Sequence, residues 1–174
     1  MNIGQFAIGL SHRPFVIAEM SGNHNQSLER ALSIVDAAAA AGAQALKLQT
    51  YTADTITIDH DGPEFTISDP GSLWSGQNLY QLYQQACTPY EWHKPIFERA
   101  RQLGMAPLST PFDEAAVDFL ENLDAPAYKI ASFENNHLPL IRKAASTGKP
   151  LIISTGMASI AELDEMVQAA RSAG

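Results

Sequence analysis

The sequence predicts an α/β protein built as a partial (β/α)8 TIM barrel, with its first five βα units and an insertion after the second strand. Three observations predict it. A unit of short apolar strand, polar loop and amphipathic helix recurs five times along the chain. Several strands carry consecutive apolar residues, as strands covered on both faces of a parallel sheet do. Nearly every strand ends in polar residues, which is how such a barrel gathers a site at the C-terminal mouth of its sheet.

The strands fall at Phe15–Met20, Ala45–Gln49, Met105–Thr110, Ala127–Ser132 and Leu151–Ser154. Val16, Ile17 and Ala18, then Leu46 and Leu48, then Leu151, Ile152 and Ile153 give the first, second and fifth their apolar character. Ser27 is the predicted N-cap of a helix whose alanine-rich body, Ala31 to Ala41, stops at Gly42. The next helix, Tyr90–Leu103, takes Thr88 as its cap, Pro89 at its first position and Gly104 as its stop. Asp113–Leu123, Leu138–Thr147 and Ser159–Ala173 complete the set, and Gly148 closes the fourth helix. Strands alternating with helices imply right-handed crossovers and a parallel sheet. No Gly-x-Gly-x-x-Gly follows the first strand, which disfavours a dinucleotide-binding sheet.

A closed barrel needs eight units in about 250 residues. The chain therefore reads as residues 1–14, an N-terminal extension, followed by residues 15–174, the N-terminal portion of a barrel. Residues 51–88 are too long for an ordinary βα loop. Their aromatic residues, among them Trp74, Tyr80 and Tyr83, predict an ordered lid or a subunit contact.

Composition narrows the function classes. The 174 residues suit one domain, and 45% hydrophobic with 17% charged residues is a globular balance. A net charge of −8 argues against nucleic acid or an anionic membrane as partner. No run approaches the ~20 apolar residues of a membrane span, and no signal peptide is evident at Met1–Arg13. The single cysteine, Cys87, cannot form an internal disulfide. The expected setting is the cytoplasm.

Lys47 and Lys129 lie inside apolar strands at corresponding positions, and two ammonium groups at one barrel mouth would bind a dianion such as a phosphate ester. Each lysine alone could equally run its stem to solvent. Ser109 and Thr110, Ser132, and Ser154 and Thr155 place hydroxyls at strand ends, where they serve as helix caps or as anion ligands. Gln49 ends the second strand beside them. Glu19 and Glu134 are strand-end carboxylates suited to orienting a hydroxyl or moving a proton. The five histidines (His12, His24, His60, His93, His137) show no metal-ligand spacing, so no metal site is expected in this chain. His93 is expected on a helix, exposed or half-packed, and His24 in a loop that it helps to structure.

Five motifs in order, Val16-Ile-Ala-Glu-Met-Ser-Gly-Asn-His-Asn25, Ala45-Leu-Lys-Leu-Gln-Thr50, Ser109-Thr-Pro-Phe-Asp113, Tyr128-Lys-Ile-Ala-Ser-Phe-Glu134 and Ile153-Ser-Thr-Gly-Met157, resemble the sialic acid synthase family. The run Glu19–Gln26, the run Leu48–Thr57 and the aromatic insertion resemble its pseudaminic acid synthase branch. The resemblance implies a condensation. The methylene carbon of phosphoenolpyruvate attacks the aldehyde of open-chain 2,4-diacetamido-2,4,6-trideoxy-L-altrose, water adds at the enol carbon, and phosphate leaves by C–O cleavage. Carried onto this sequence, it makes Lys47, Thr110, Lys129, Ser132 and Ser154 the phosphoenolpyruvate grip. Glu19, Gln49 and Glu134 become sugar-binding or proton-handling groups, with Glu19, Lys47, Lys129 and Glu134 as the catalytic set. It also implies a divalent metal, Mn or Mg, that polarises the aldehyde in the full-length enzyme. The metal's two histidine ligands lie on later strands, outside this chain. A homodimer is implied as well, through a C-terminal antifreeze-like domain.

The resemblance spans the first half of such an enzyme, so the expectation is weak phosphoenolpyruvate binding without turnover by these residues alone. Three other readings stay open: an N-acetylneuraminate or legionaminate synthase, a non-catalytic phosphate- or sugar-binding remnant, and an aldolase-type barrel with Lys129 as Schiff-base lysine.

Overall fold

The computed structural model describes residues 1–174, and its main sheet is five parallel strands in chain order. A small hairpin comes first, β1 (Asn2–Ile3) against β2 (Phe6–Ala7), antiparallel. Then come β3 (Ile17–Glu19), α1 (Leu28–Ala40), β4 (Ala45–Thr50), and α2 (Ala53–Ile56) with α3 (Leu79–Ala86) inside the insertion. The regular units resume with α4 (Tyr90–Gln102), β5 (Ala106–Pro111), α5 (Glu114–Glu121), β6 (Tyr128–Ile130), α6 (Leu138–Ala145), β7 (Leu151–Ile153) and α7 (Ile160–Ala173). Each strand of the sheet pairs in parallel with the next, giving half of a (β/α)8 barrel. All five predicted strands stand in their predicted places with slightly different ends. No helix is long and apolar enough to cross a membrane.

Side chains alternate across a strand, so each strand feeds two different layers. Met20, Leu46, Leu48, Tyr128 and Ile130 point outward into the helices, where they pack with Val35, Phe97, Leu120 and Ile141 in the main core. The inward positions nearest the N-terminal ends are small: Ala45, Ala106 and Ala127. Those alanines leave room at the bottom of the half-barrel, and Ile3 of the hairpin fills it, 2% exposed. Residues 2–7 are thus a plug on the sheet.

The helix starts follow local chemistry. Ser27 accepts from the Arg30 N–H, Asp113 from Ala116 N–H, and Ser159 with Glu162 forms a capping box. Gly42 and Gly104 take positive φ just after their helices, where a side chain would be strained. One predicted cap is corrected. Pro89, not Thr88, precedes α4 and no side chain caps it. Thr88 is buried, and its hydroxyl is taken by His24.

The insertion is ordered by its own hydrogen bonds. Asn78 caps α3 through the Tyr80 N–H at 2.8 Å and donates to the His60 carbonyl at 2.7 Å. The Tyr80 hydroxyl donates to Asp54 at 2.8 Å, joining α3 to α2. Tyr51, buried at the end of β4, packs edge-on against Phe112 and Tyr83, with ring centroids 5.3 Å and 5.8 Å away.

Candidate active site

Strand register decides which polar residues meet. Glu19 pairs with Lys47, Gln49 with Thr110, and Lys129 with Ile152. These side chains share the inward face with the alanines below them and form the next layers up, at the C-terminal mouth. Lys47 makes an ion pair with Glu19, and its ammonium lies 3.4 Å from the Thr110 hydroxyl. Lys129 donates to the Ser154 hydroxyl and, at 2.6 Å, to the Ile130 carbonyl. Burial holds the Lys129 ammonium below its ordinary pKa, and the nearby Lys47 charge pushes the same way. The mouth therefore carries two lysines, one partly neutralised by Glu19 and one held only by neutral oxygens.

The loops after β6 and β7 complete it. Ser132 opens a single 3-10 turn, Ser132–Glu134. Gly156 passes against it, and buried Asn135 donates to the Gly156 carbonyl at 2.9 Å, tying the two loops together. Glu134 has one carboxylate oxygen, Oε2, buried without any hydrogen-bond partner. Burial raises its pKa, which favours the protonated carboxyl. Burial also raises the pKa of the Tyr83 hydroxyl on α3, and a charge on Glu134 would push it the same way. A buried, unsatisfied carboxylate oxygen next to a desolvated lysine suits a group that exchanges a proton with a ligand.

The eight site residues predicted from the sequence, Glu19, Lys47, Gln49, Thr110, Lys129, Ser132, Glu134 and Ser154, are all placed at this end of the sheet. Ser109 is not with them. It points outward, where its hydroxyl lies 2.6 Å from Thr50 Oγ1, which in turn lies 2.9 Å from His93 Nε2. His93 is fully buried, correcting the expectation of an exposed or half-packed residue. Its Nδ1 faces the Pro89 carbonyl at 3.1 Å, and a carbonyl only accepts, so Nδ1 carries the proton. Nε2 then accepts from Thr50, and Thr50 from Ser109. Burial lowers the His93 pKa to about 4. His24 takes the opposite tautomer. Its Nδ1 accepts the Gln26 N–H, leaving Nε2–H to donate to Thr88.

Sequence reasoning missed two features of the site: the Ser21 hydroxyl donating to Gln49 at 3.3 Å and the Asn135 clamp. The positive φ of Ser21 and Asn25 belongs to the loop that presents this bond. Beside Gln49, a cleft of about 600 Å³ opens between that loop and the insertion. A separate hollow of about 330 Å³, beside Gly4, Phe6 and Gly104, lies at the hairpin end of the sheet, away from these groups. No three His, Cys, Asp or Glu side chains gather into a group fit to hold a metal ion. The residues present do not by themselves make a metal centre.

Known proteins are similar to this chain in sequence and fold. Over 163 residues the chain is 48% identical to the pseudaminic acid synthase of Campylobacter jejuni, covering 94% of this chain and 46% of that protein. It is 46% identical over 158 residues to the pseudaminic acid synthase of Helicobacter pylori, covering 91% and 46%. The fold superposes on an N-acetylneuraminic acid synthetase from Leptospira borgpetersenii, solved with citrate, with a TM-score of 0.84 and 27% identity over 99% of this chain and 55% of that one. The chain thus spans about half the length of the curated relatives it matches. The model of the NeuB family matches residues 34–174, from within α1 to the last residue, and the chain belongs to the NeuB family.

Proposed function

We propose that the protein carries the phosphoenolpyruvate side of a nonulosonic acid synthase. That enzyme would condense phosphoenolpyruvate with 2,4-diacetamido-2,4,6-trideoxy-L-altrose to give pseudaminic acid and phosphate. The observation that carries the reading is the pair of lysines at the mouth, Lys47 with Thr110 and Lys129 with Ser154, in a chain this similar to pseudaminic acid synthases. Two ammonium groups and three hydroxyls, counting Ser132, match a ligand with a phosphate and a carboxylate.

In this mechanism C3 of phosphoenolpyruvate forms a bond to the aldehyde carbon. The carbonyl electron pair moves onto oxygen, which takes a proton from the Glu134 carboxyl. C2 is left as an oxocarbenium that the lysine-bound phosphate stabilises. Water adds there and gives a proton to the Glu134 carboxylate. The tetrahedral intermediate then collapses: its hydroxyl proton passes to the departing phosphate as the C–O bond breaks, leaving the ketone. Glu19 and Gln49 orient the sugar. A divalent ion, Mn or Mg, and a homodimer belong to the proposal for the whole enzyme, with metal ligands from outside these residues, and its setting is the cytoplasm.

Phosphoenolpyruvate labelled with ¹⁸O in its C–O–P bridge tests the reading. Label in the released phosphate, appearing only when the diacetamido sugar is present, is the expected result. Unlabelled phosphate would mean attack at phosphorus, and the proposal would fail.

A further inference from the structure

The cleft beside Gln49 is built differently from the mouth. Its walls hold Trp74, Leu82 and Tyr83 from the insertion, Asn23 and Asn25 from the loop after β3, and Arg30 from α1, with no carboxylate among its lining residues. Its size, about 600 Å³, suits a small organic ligand. Trp74 is 49% exposed, a large apolar surface left open to solvent. Arg30 takes part in none of the chain's ion pairs. Tyr51, which also lines the cleft, packs edge-on against Tyr83.

Gln49 belongs to both places. It lines the cleft and stands in register with Thr110 of the mouth. A ligand whose reacting carbon sits at the mouth would therefore extend past Gln49 into the cleft. We infer that the cleft is a specificity subsite for the end of the acceptor sugar remote from its aldehyde, and that it takes acetamido and methyl substituents. This rests on the proposed condensing function. Amide carbonyls would accept from Arg30 and Asn25, while methyl groups would pack on Trp74 and Leu82. A polyhydroxylated tail would forgo that apolar packing on Trp74 and Leu82, and the lost packing is what discriminates.

The test is steady-state kinetics on the protein as its gene encodes it, with Trp74→Ala and Arg30→Gln checked for native circular dichroism. The KM for the diacetamido sugar rises about tenfold or more in both variants, and preference over N-acetylmannosamine shrinks. The KM for phosphoenolpyruvate stays within about twofold, which a general loss of structure would not allow. Unchanged sugar KM in both folded variants would overturn the subsite while leaving the reaction standing. Absence of phosphate release by the wild type with either sugar would overturn the condensing function and the subsite with it.

Discussion

Gly156 lies so close to Ser132 that a Cβ at position 156 would stand 2.8 Å from the Ser132 hydroxyl and 3.2 Å from its Cβ. The β7 loop can pass there only because glycine lacks that atom. Gly156→Ala must push Ser132 out of the mouth, and misplacing one donor by a fraction of an ångström weakens binding without unfolding the domain. Titration calorimetry should show phosphoenolpyruvate affinity reduced by about tenfold, with stability changed by less than about 1 kcal/mol. Equal affinity in the variant would show that Ser132 does not touch the ligand.

Lys129 is a charge the fold tolerates at a cost. Because burial lowers its pKa, the unfolded chain binds that proton more tightly than the folded chain, and stability declines as pH falls from the unfolded value of 10.5 through the folded one. Lys129→Met keeps the stem and removes the charge. Its urea midpoint should match or exceed that of the wild type, while phosphoenolpyruvate binding weakens by at least about 30-fold, the equivalent of about 2 kcal/mol for a charge-assisted bond. A variant both less stable and still able to bind would contradict this assignment.

His93 gives the protein an acid sensitivity of stated sign. Its folded pKa is depressed to about 4 against 6.5 in the unfolded chain, so its neutral form contributes stability that is fully present above pH 6.5. That contribution fades as pH falls toward 4, by about 3 kcal/mol for the full shift. His24, lowered in the same direction by burial, adds to it. Denaturation curves of wild type and His93→Gln at pH 7 and pH 4.5 should converge at the lower pH. Nitrogen-15 NMR should find the proton of His93 on Nδ1 and that of His24 on Nε2.

The hairpin is structural. Ile3→Ala empties the space framed by Ala45, Ala106 and Ala127, and a buried isoleucine lost this way costs about 2–5 kcal/mol. Equilibrium unfolding measures it, and a cost near zero would mean that residues 2–7 lie loosely on the sheet.

Much of the mouth is legible in the sequence, because lysines and hydroxyls stand out at the ends of apolar strands. Ser109 marks where that reading stops. Adjacent residues on a strand face opposite ways, so Ser109 and Thr110 cannot both reach the mouth, and only the register, which sets Ser109 opposite Leu48 and Thr110 opposite Gln49, shows which one does. His93 lies on the expected helix, and its burial escapes the sequence for a related reason. What buries it is a bond to Thr50 on another element, and nothing within α4 signals that partner. The two-residue strands of the hairpin are too short to show a period. Tyr83 meeting Tyr51 depends on how the insertion folds back, which local patterns do not encode.

The proposed role of the Lys47 and Lys129 mouth is a phosphoenolpyruvate condensation. Phosphate release by the protein as its gene encodes it, with phosphoenolpyruvate and Mn²⁺ and with each sugar in turn, tests that most directly. Release is expected with the diacetamido-trideoxy altrose, little with N-acetylmannosamine, and none in Lys47→Met or Lys129→Met. Release that ignores the sugar, or that survives loss of both lysines, would contradict it.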